Sequence, residues 1–369
     1  MKKKILINAS ILCGKQIGVE VYSNEVLKRL LPLMIENKYE VEIYAYNTDS
    51  LIHFDVAFKK ISISPFLDKL LFRNLSIHRI FWNLIKLPSI SKFYDVVYSP
   101  STHGALRINN QIITVHDLIS LNFPFNDFFQ FAYFKTLVPL FLKKSKIIAI
   151  SSFTKKSILK SYRFKENQIS TIYNGSDHLN FDLNEKNFND IHGIKQPFFL
   201  SVGLSLPHKN VERLLEAIKK NGNSNYSFVI VGRKTDYFKK MKEYAFKMNL
   251  KNVMFLDNVN DEYLKFLYSK CIANIYLSLH EGFGFPPLEA AYYGKISIVS
   301  KGTALSEIYE GHAIFADPYD VDNIKDVIEE LIINFENSDL PNLHLSKLLL
   351  KFSWDDTSKK IFDLILKQN

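Results

Sequence analysis

Short runs rich in Ile, Val and Phe recur along the chain, separated by stretches with helical spacing. The runs are Ile5–Ile7, Val41–Tyr46, Asp95–Tyr98, Ile112–His116 and Ile147–Ile150, then Phe198–Val202, Phe228–Val231, Val253–Leu256, Ala273–Leu277 and Ile296–Val299. Several show no polar alternation, the mark of strands covered on both faces. The stretches between, such as Glu20–Met34, Val211–Lys220 and Val321–Ile333, have the spacing of helices. This alternation constrains the chain to an α/β architecture of doubly wound parallel sheets. The series breaks once. Residues 174–197 are polar and aperiodic, which reads as a linker. A length of 369 residues suits two domains. They are expected at 1–180 and 190–345, with 346–369 a C-terminal helix packing back on the first. Ligands of such sheets bind in the loops after the strands.

Composition narrows the functional classes. Apolar residues at 47% and charged residues at 23% exclude wholesale disorder and collagen-like structure. Cys13 and Cys271 give neither a disulfide framework nor zinc spacing, so a reducing compartment is expected. Lys2, Lys3 and Lys4 imitate the start of a secretory leader, but Asn8 and Ser10 interrupt the apolar stretch and no small-residue cleavage site follows. No run reaches the ~18 apolar residues of a spanning helix. The expected location is cytoplasmic. A net charge of +9 reflects either genome composition or a basic surface that meets an anion. Nucleic acid explains it poorly, because no helix-turn-helix, RNA-recognition or zinc signature accompanies the charge.

The strongest chemical stretch is Leu279–Gly294, LHEGFGFPPLEAAYYG. Glu281 and Glu289 flank a turn opened by Gly282 and Gly284, and Pro286-Pro287 stand where a helix would begin. Glycines there let backbone N–H groups approach a ligand, and a helix start favours an anion or a hydroxyl-rich group. The plainer reading is a Gly-Pro turn with Glu289 on the surface. A second stretch, Ser201–Asn210, places Gly203 at the exit of a strand and His208 and Lys209 before a helix. Lysine there is a point charge for a diphosphate, or a solvated loop residue. His116-Asp117 follows the strand Ile112–Val115; the histidine suits a polar contact or proton handling, or an ordinary structural role. Gly14–Tyr22 forms a strand-to-helix turn that does not match G-x-G-x-x-G, so a dinucleotide-binding dehydrogenase fits poorly.

Together these words resemble the retaining, nucleotide-sugar-dependent glycosyltransferases of family 4, which have the GT-B fold: two Rossmann-like, doubly wound domains facing across a cleft. The resemblance covers nearly the whole chain and is densest from Pro197 to Pro318. It rests on SVGLSLPHKNVERLLEAI, VMFLDNVNDEYLKFLYSKC, LHEGFGFPPLEAAYYGKISIVS, AIFADPYDV and FSWDD, and in the first half on GVEVYSNEVLKRL, TVHDL and ISSFTKKSIL. It implies donor binding by Gly18, Gly203, His208, Lys209, Glu281, Gly282, Phe283, Gly284 and Glu289. Lys209 would hold the diphosphate, Glu289 the ribose, and Glu281 with the Phe283-Gly284 backbone the donor sugar. His116 would face the transferred sugar, giving His116, Glu281 and Lys209 the catalytic roles. The implied reaction moves a hexose or deoxyhexose from a GDP-, dTDP- or UDP-sugar to a glycan or polyprenyl-diphosphate-linked oligosaccharide. The implied setting is bacterial surface polysaccharide, O-antigen or capsule, with mannosyl- and rhamnosyl-transferases most alike.

The chain departs from the family pattern at several places. His208 stands where Arg is frequent, Asp257 where a glycine follows a strand, Tyr292-Tyr293 and Lys295-Ile296 after the second glutamate, and Ile17 in the first loop. Asp320-Val321-Asp322 spells an acid-x-acid metal pattern but precedes an amphipathic helix, where acids cap. No essential metal or other cofactor is expected. Retention is expected to follow front-face attack, the leaving phosphate taking the acceptor proton. An epimerase of the same fold and a non-catalytic sugar-nucleotide-binding scaffold are the alternatives. Phe66–Lys86 and Lys143–Lys165 interleave cations with apolar residues, as for an anionic membrane surface or for ordinary helices with an apolar face in the core. Phe128–Leu142 is expected to be buried.

Overall fold

The computed structural model describes residues 3–14, 18–47, 49, 56–71, 74–124, 127–179 and 193–368. The chain forms two compact units, Met1–His178 with Phe352–Asn369, and Leu179–Lys351. Each is a parallel sheet with helices between its strands, so the α/β reading of the alternation holds.

In the N-terminal unit the strands are β1 (Lys4–Ala9), β2 (Glu40–Ala45), β3 (Ala57–Lys60), β4 (Val96–Ser99), β5 (Gln111–Val115), β6 (Lys146–Ala149) and β7 (Ile169–Thr171). They lie in the order β3-β2-β1-β4-β5-β6-β7, all pairs parallel. The helices are α1 (Gly18–Glu36), α2 (Pro65–Leu71), α3 (Leu75–Phe81), α4 (Leu87–Ser91), α5 (Ile119–Asn122), α6 (Phe128–Leu142) and α7 (Ser152–Tyr162). Every residue of β4 and β5 is buried, as strands without polar alternation require.

The second unit contains β8 (Phe198–Val202), β9 (Ser227–Gly232), β10 (Val253–Asp257), β11 (Ala273–Tyr276), β12 (Ile296–Ser300) and β13 (Ile314–Ala316), in the order β10-β9-β8-β11-β12-β13. Its helices are α8 (Val211–Asn221), α9 (Asp236–Lys247), α10 (Asp261–Lys270), α11 (Pro286–Tyr292), α12 (Ala304–Ile308), α13 (Val321–Glu336) and α14 (Leu345–Leu350). A last helix, α15 (Trp354–Leu366), belongs to the first unit and packs on α1.

Three expectations change. The polar stretch from Asn174 is not free linker at its start. Ser176 bonds the Phe352 carbonyl through N–H and hydroxyl, and Asp177 accepts the Trp354 N–H at 2.7 Å. Residues 180–192 of that stretch lie outside the described residues. Phe66–Lys86 is not one core-facing helix. It is α2, α3 and a π-helical turn, Trp82–Lys86, and α2 buries nothing, with Phe66 75% exposed, while Trp82 is wholly inside. In α6, Tyr133, Val138, Phe141 and Leu142 are buried but Phe128 and Phe129 stand in solvent, because the helix is apolar all round and only one face meets the sheet. No described helix is long and apolar enough to cross a membrane.

Candidate active site

In a doubly wound sheet, the loops after the two strands at which the order reverses diverge and leave a crevice. In the second unit those strands are β8 and β11, neighbours in the sheet but far apart in sequence. Gly203, at φ +78°, turns the chain out of β8. A short 3₁₀ turn, Pro207–Lys209, then leads into α8 through Asn210, which is left-handed and bonds the Pro318 carbonyl at 2.7 Å. The loop after β11 is tied to this turn by the Leu279 N–H, which donates to the His208 carbonyl at 2.8 Å.

That tie brings Lys209 onto Glu281. The ammonium lies 2.6 Å from a Glu281 carboxylate oxygen and 2.6 Å from the Tyr276 hydroxyl, which itself donates to the same oxygen at 2.9 Å. The ammonium also sits 4.9 Å from the centre of the Tyr276 ring. Glu281 is 7% exposed and Tyr276 2%. Burial alone would favour the neutral carboxyl, but Lys209 outweighs it and holds Glu281 below the ordinary carboxylate range. Glu281 and Tyr276 likewise raise Lys209 against the effect of burial. The pair is ionised at neutral pH. Tyr276 carries no functional signal in the sequence: at the end of an apolar strand it reads as core.

Glu289 occupies the first turn of α11, behind Pro286-Pro287. Its carboxylate accepts the Tyr268 hydroxyl at 2.7 Å, and burial raises its pKa while that bond opposes the rise. Gly282 and Phe283 are buried. Gly284 adopts φ +87°, a left-handed conformation that favours glycine, and a Cβ there would press on the end of the Leu305 side chain at 2.5 Å. Its carbonyl accepts the Tyr309 hydroxyl.

His208 is 3% exposed, and burial with the adjacent Lys209 lowers its pKa to about 4. It is a neutral neighbour to Lys209, not a second cation. Asp257 ends the edge strand β10 and faces Lys234 at 4.0 Å. Asp320 caps α13, accepting the N–H groups of Asp322 and Asn323, and Asp322 pairs with Lys220 at 2.7 Å. Among the described residues no cluster of His, Cys, Asp and Glu is placed to hold a metal.

The other predicted residues belong to the N-terminal unit. His116 is the first residue past β5. Its Nε2 donates to the Pro100 carbonyl at 2.9 Å, which fixes the tautomer and leaves Nδ1 as an acceptor. Burial lowers its pKa to about 4, so the ring is neutral. Tyr22 packs edge-on against it, ring centres 4.7 Å apart. Gly18 is the exposed first residue of α1, and Ile17 lies outside the described residues.

The chain matches known proteins along most of its length. The profile of "Glycosyltransferase Family 4" matches residues 18–178, and that of "Glycosyl transferases group 1" matches residues 184–339. The O-antigen chain mannosyltransferase RfbU of Salmonella typhimurium is 33% identical over 254 residues, 68% of this chain and 69% of that protein. The O-antigen chain mannosyltransferase B of Escherichia coli is 24% identical over 281 residues, 73% of each. Among solved structures, Anabaena Alr3699/HepE in complex with UDP and glucose superposes with a TM-score of 0.72 at 16% identity, over 99% of this chain and 100% of that one. Two parallel-sheet units, a lysine–glutamate pair where the second sheet reverses, and these matches make the chain a GT-B glycosyltransferase of family 4.

Proposed function

We propose that the chain is a retaining hexosyltransferase of surface-polysaccharide synthesis. It moves mannose or a related hexose or deoxyhexose from a nucleotide sugar to a glycan on a polyprenyl diphosphate. The mannosyltransferase names of its relatives support the sugar and the setting. The observation that carries the chemistry is the Lys209–Glu281–Tyr276 cluster.

A donor diphosphate arriving at Lys209 offers the ammonium stronger acceptors than one carboxylate oxygen. Glu281, acceptor-only when ionised, is then available to the hydroxyls of the donor sugar. Glu289 takes the ribose hydroxyls in the same way. As the glycosidic C–O bond breaks, negative charge grows on the departing phosphate, and Lys209 stabilises it there. The acceptor hydroxyl attacks on the same face and its proton passes to that phosphate oxygen, so no general base is needed. Neutral His116, in the first unit, offers Nδ1 as an acceptor for a sugar hydroxyl. This route gives the charge stabilisation to Lys209 and requires no metal.

The acceptor's lipid places the protein on the inner face of the cytoplasmic membrane. Phe66, Leu70, Ile85 and Phe93 are exposed beside the exposed Lys69 and Lys92, the mixture of apolar and cationic groups that an anionic bilayer surface attracts.

A panel of GDP-, dTDP- and UDP-sugars screened by thermal shift, then by release of nucleoside diphosphate, tests the reading. One donor is expected to stabilise the protein and to be slowly hydrolysed, with both effects lost in Glu281→Ala. A panel in which no sugar nucleotide binds would overturn it.

A further inference from the structure

The N-terminal sheet has its own reversal point, between β1 and β4, and the polar structure there is unexplained by the donor site. Arg79, on α3, reaches across it. Its Nε donates to the Ser10 carbonyl, just after β1, at 2.7 Å, and its Nη1 lies 3.3 Å from Nε2 of His103, in the loop after β4. A guanidinium only donates, so His103 accepts through Nε2 and carries its proton on Nδ1. That Nδ1–H meets the Tyr133 hydroxyl at 2.9 Å, and Tyr133 donates onward to the Thr102 carbonyl at 3.3 Å.

A second set of buried polar groups joins the same loops. Asn8, wholly buried, donates to Asn83, Ser99 and the His103 carbonyl, and accepts the Trp82 indole N–H at 3.0 Å. A buried network of this kind restricts its members' arrangement, although the Asn83 amide nitrogen has no partner among the described residues. The neighbours of Arg79 hold its guanidinium through Nε and Nη1, and Nη2 makes no hydrogen bond among the described residues. No described carboxylate forms an ion pair with Arg79, and Asp68, on the neighbouring α2, is paired with His78 at 2.9 Å. Two further groups of the same loops lack partners among the described residues: the buried hydroxyls of Ser10 and Ser101.

A cation with no ion-pair partner among the described residues, held at a sheet's reversal point by loops that carry unpartnered hydroxyls, is arranged for an anion. We propose that Arg79, with the Ser10 and Ser101 loops, forms an oxyanion site in the N-terminal unit that binds an anionic group of the glycosyl acceptor. The chemistry is a phosphate ester or the carboxylate of an acidic sugar. Only the identification with the acceptor rests on the glycosyltransferase reading; anion binding does not.

The test uses the full chain and has no turnover in it. His103 is the local reporter: its ring NMR signals are followed during separate titrations with methyl phosphate and sodium acetate at fixed pH and ionic strength. A saturable shift is expected with at least one of them, and the tighter of the two assigns phosphate or carboxylate. Arg79→Gln keeps a donor for Ser10 but loses the charge, and is expected to weaken binding by about tenfold or more, as for a lost charge-assisted bond. Arg79→Lys keeps the charge and controls for folding, with an intermediate affinity expected. Lys209→Ala removes the donor-site cation and is expected to leave the His103 response intact. A wild-type ring that responds to neither anion, or a response equal in Arg79→Gln, overturns the site. Because donor hydrolysis is measured separately, failure here and failure of the transferase reading are distinguishable.

Discussion

Tyr276 is the residue through which the C-terminal site is held, and its hydroxyl can be removed alone. In Tyr276→Phe the ring still supports the ammonium, while Lys209 and Glu281 lose the bridge at 2.6 and 2.9 Å. One hydrogen bond to a charged group contributes about 1.5–3 kcal/mol, so a roughly ten- to hundredfold loss in kcat/KM for donor is expected. Acceptor KM should not move; an unchanged donor kcat/KM would make Tyr276 a core residue only. Glu289 gives a pH signature. Its folded-state pKa is raised, chiefly by burial. The folded protein therefore holds this proton more tightly than the unfolded chain, and the group's stabilising contribution is full at low pH and lost as pH rises through the folded pKa. Ribose recognition needs the ionised form and runs the opposite way. Donor affinity should fall on acidification at a pH above the ordinary carboxylate range. Tyr268→Phe removes the bond that opposes the rise, so it should move that limb to still higher pH in a donor KM–pH profile. Glu281, Glu289 and Lys209 were legible in sequence because charged residues cluster with glycines and prolines after apolar strands. Tyr276 and Arg79 were not: one ends a strand, the other sits on a helix, and only folding brings each to its partners.

Elements show a similar division. Interior strands are covered on both faces, and their apolar runs predict them to within a residue or two at each end. The strands without a sequence signal are β3, β7 and β13, three of the four sheet edges, each shorter than the fourth, β10, whose apolar run is read. An edge strand is short and open on one side, and β3 even carries Lys59 and Lys60, which suits an edge that must not pair further. The first-half helices are the other departure. Helical spacing at Phe66–Lys86 indicates a helix but not which face is covered, and α2 covers none. Anionic vesicles of phosphatidylglycerol at low salt should therefore sediment the protein. Replacing Phe66 and Leu70 by Ser should remove most of that binding without lowering thermal stability, because neither side chain is in the core. Equal binding to neutral vesicles, or no effect of the double substitution, would remove the membrane assignment.

At the scale of the whole molecule, the second unit is an insertion: the chain leaves the first unit after His178 and returns at Phe352. The return is built in, not appended. Gly175 lies so close to it that a Cβ would fall 2.2 Å from the Trp354 nitrogen. Trp354 is fully buried and its indole N–H donates to His178 at 2.9 Å. Arg29 on α1 binds Asp355 at 2.8 Å and Glu25 at 2.7 Å, joining α1 to α15. The same contact reaches the candidate catalytic residue, because Tyr22 packs against Trp354 on one side and His116 on the other. Removing residues 352–369 takes away Trp354, Ile361, Phe362 and Ile365, all buried. At about 1.5–3 kcal/mol for each large apolar side chain, the loss rivals the ~5–15 kcal/mol by which a domain is stable. The truncated chain should therefore lose the N-terminal unit while the second unit stays folded, since its sheet, Lys209 and Glu281 all lie within Leu179–Lys351. Hydrogen exchange should find β1, β4 and β5 unprotected and β8 and β11 protected, with the donor that stabilises the intact protein still bound but no longer transferred. Full protection of β1 and β5 after truncation would show that α15 is dispensable, and with it the support it gives to Tyr22 and His116.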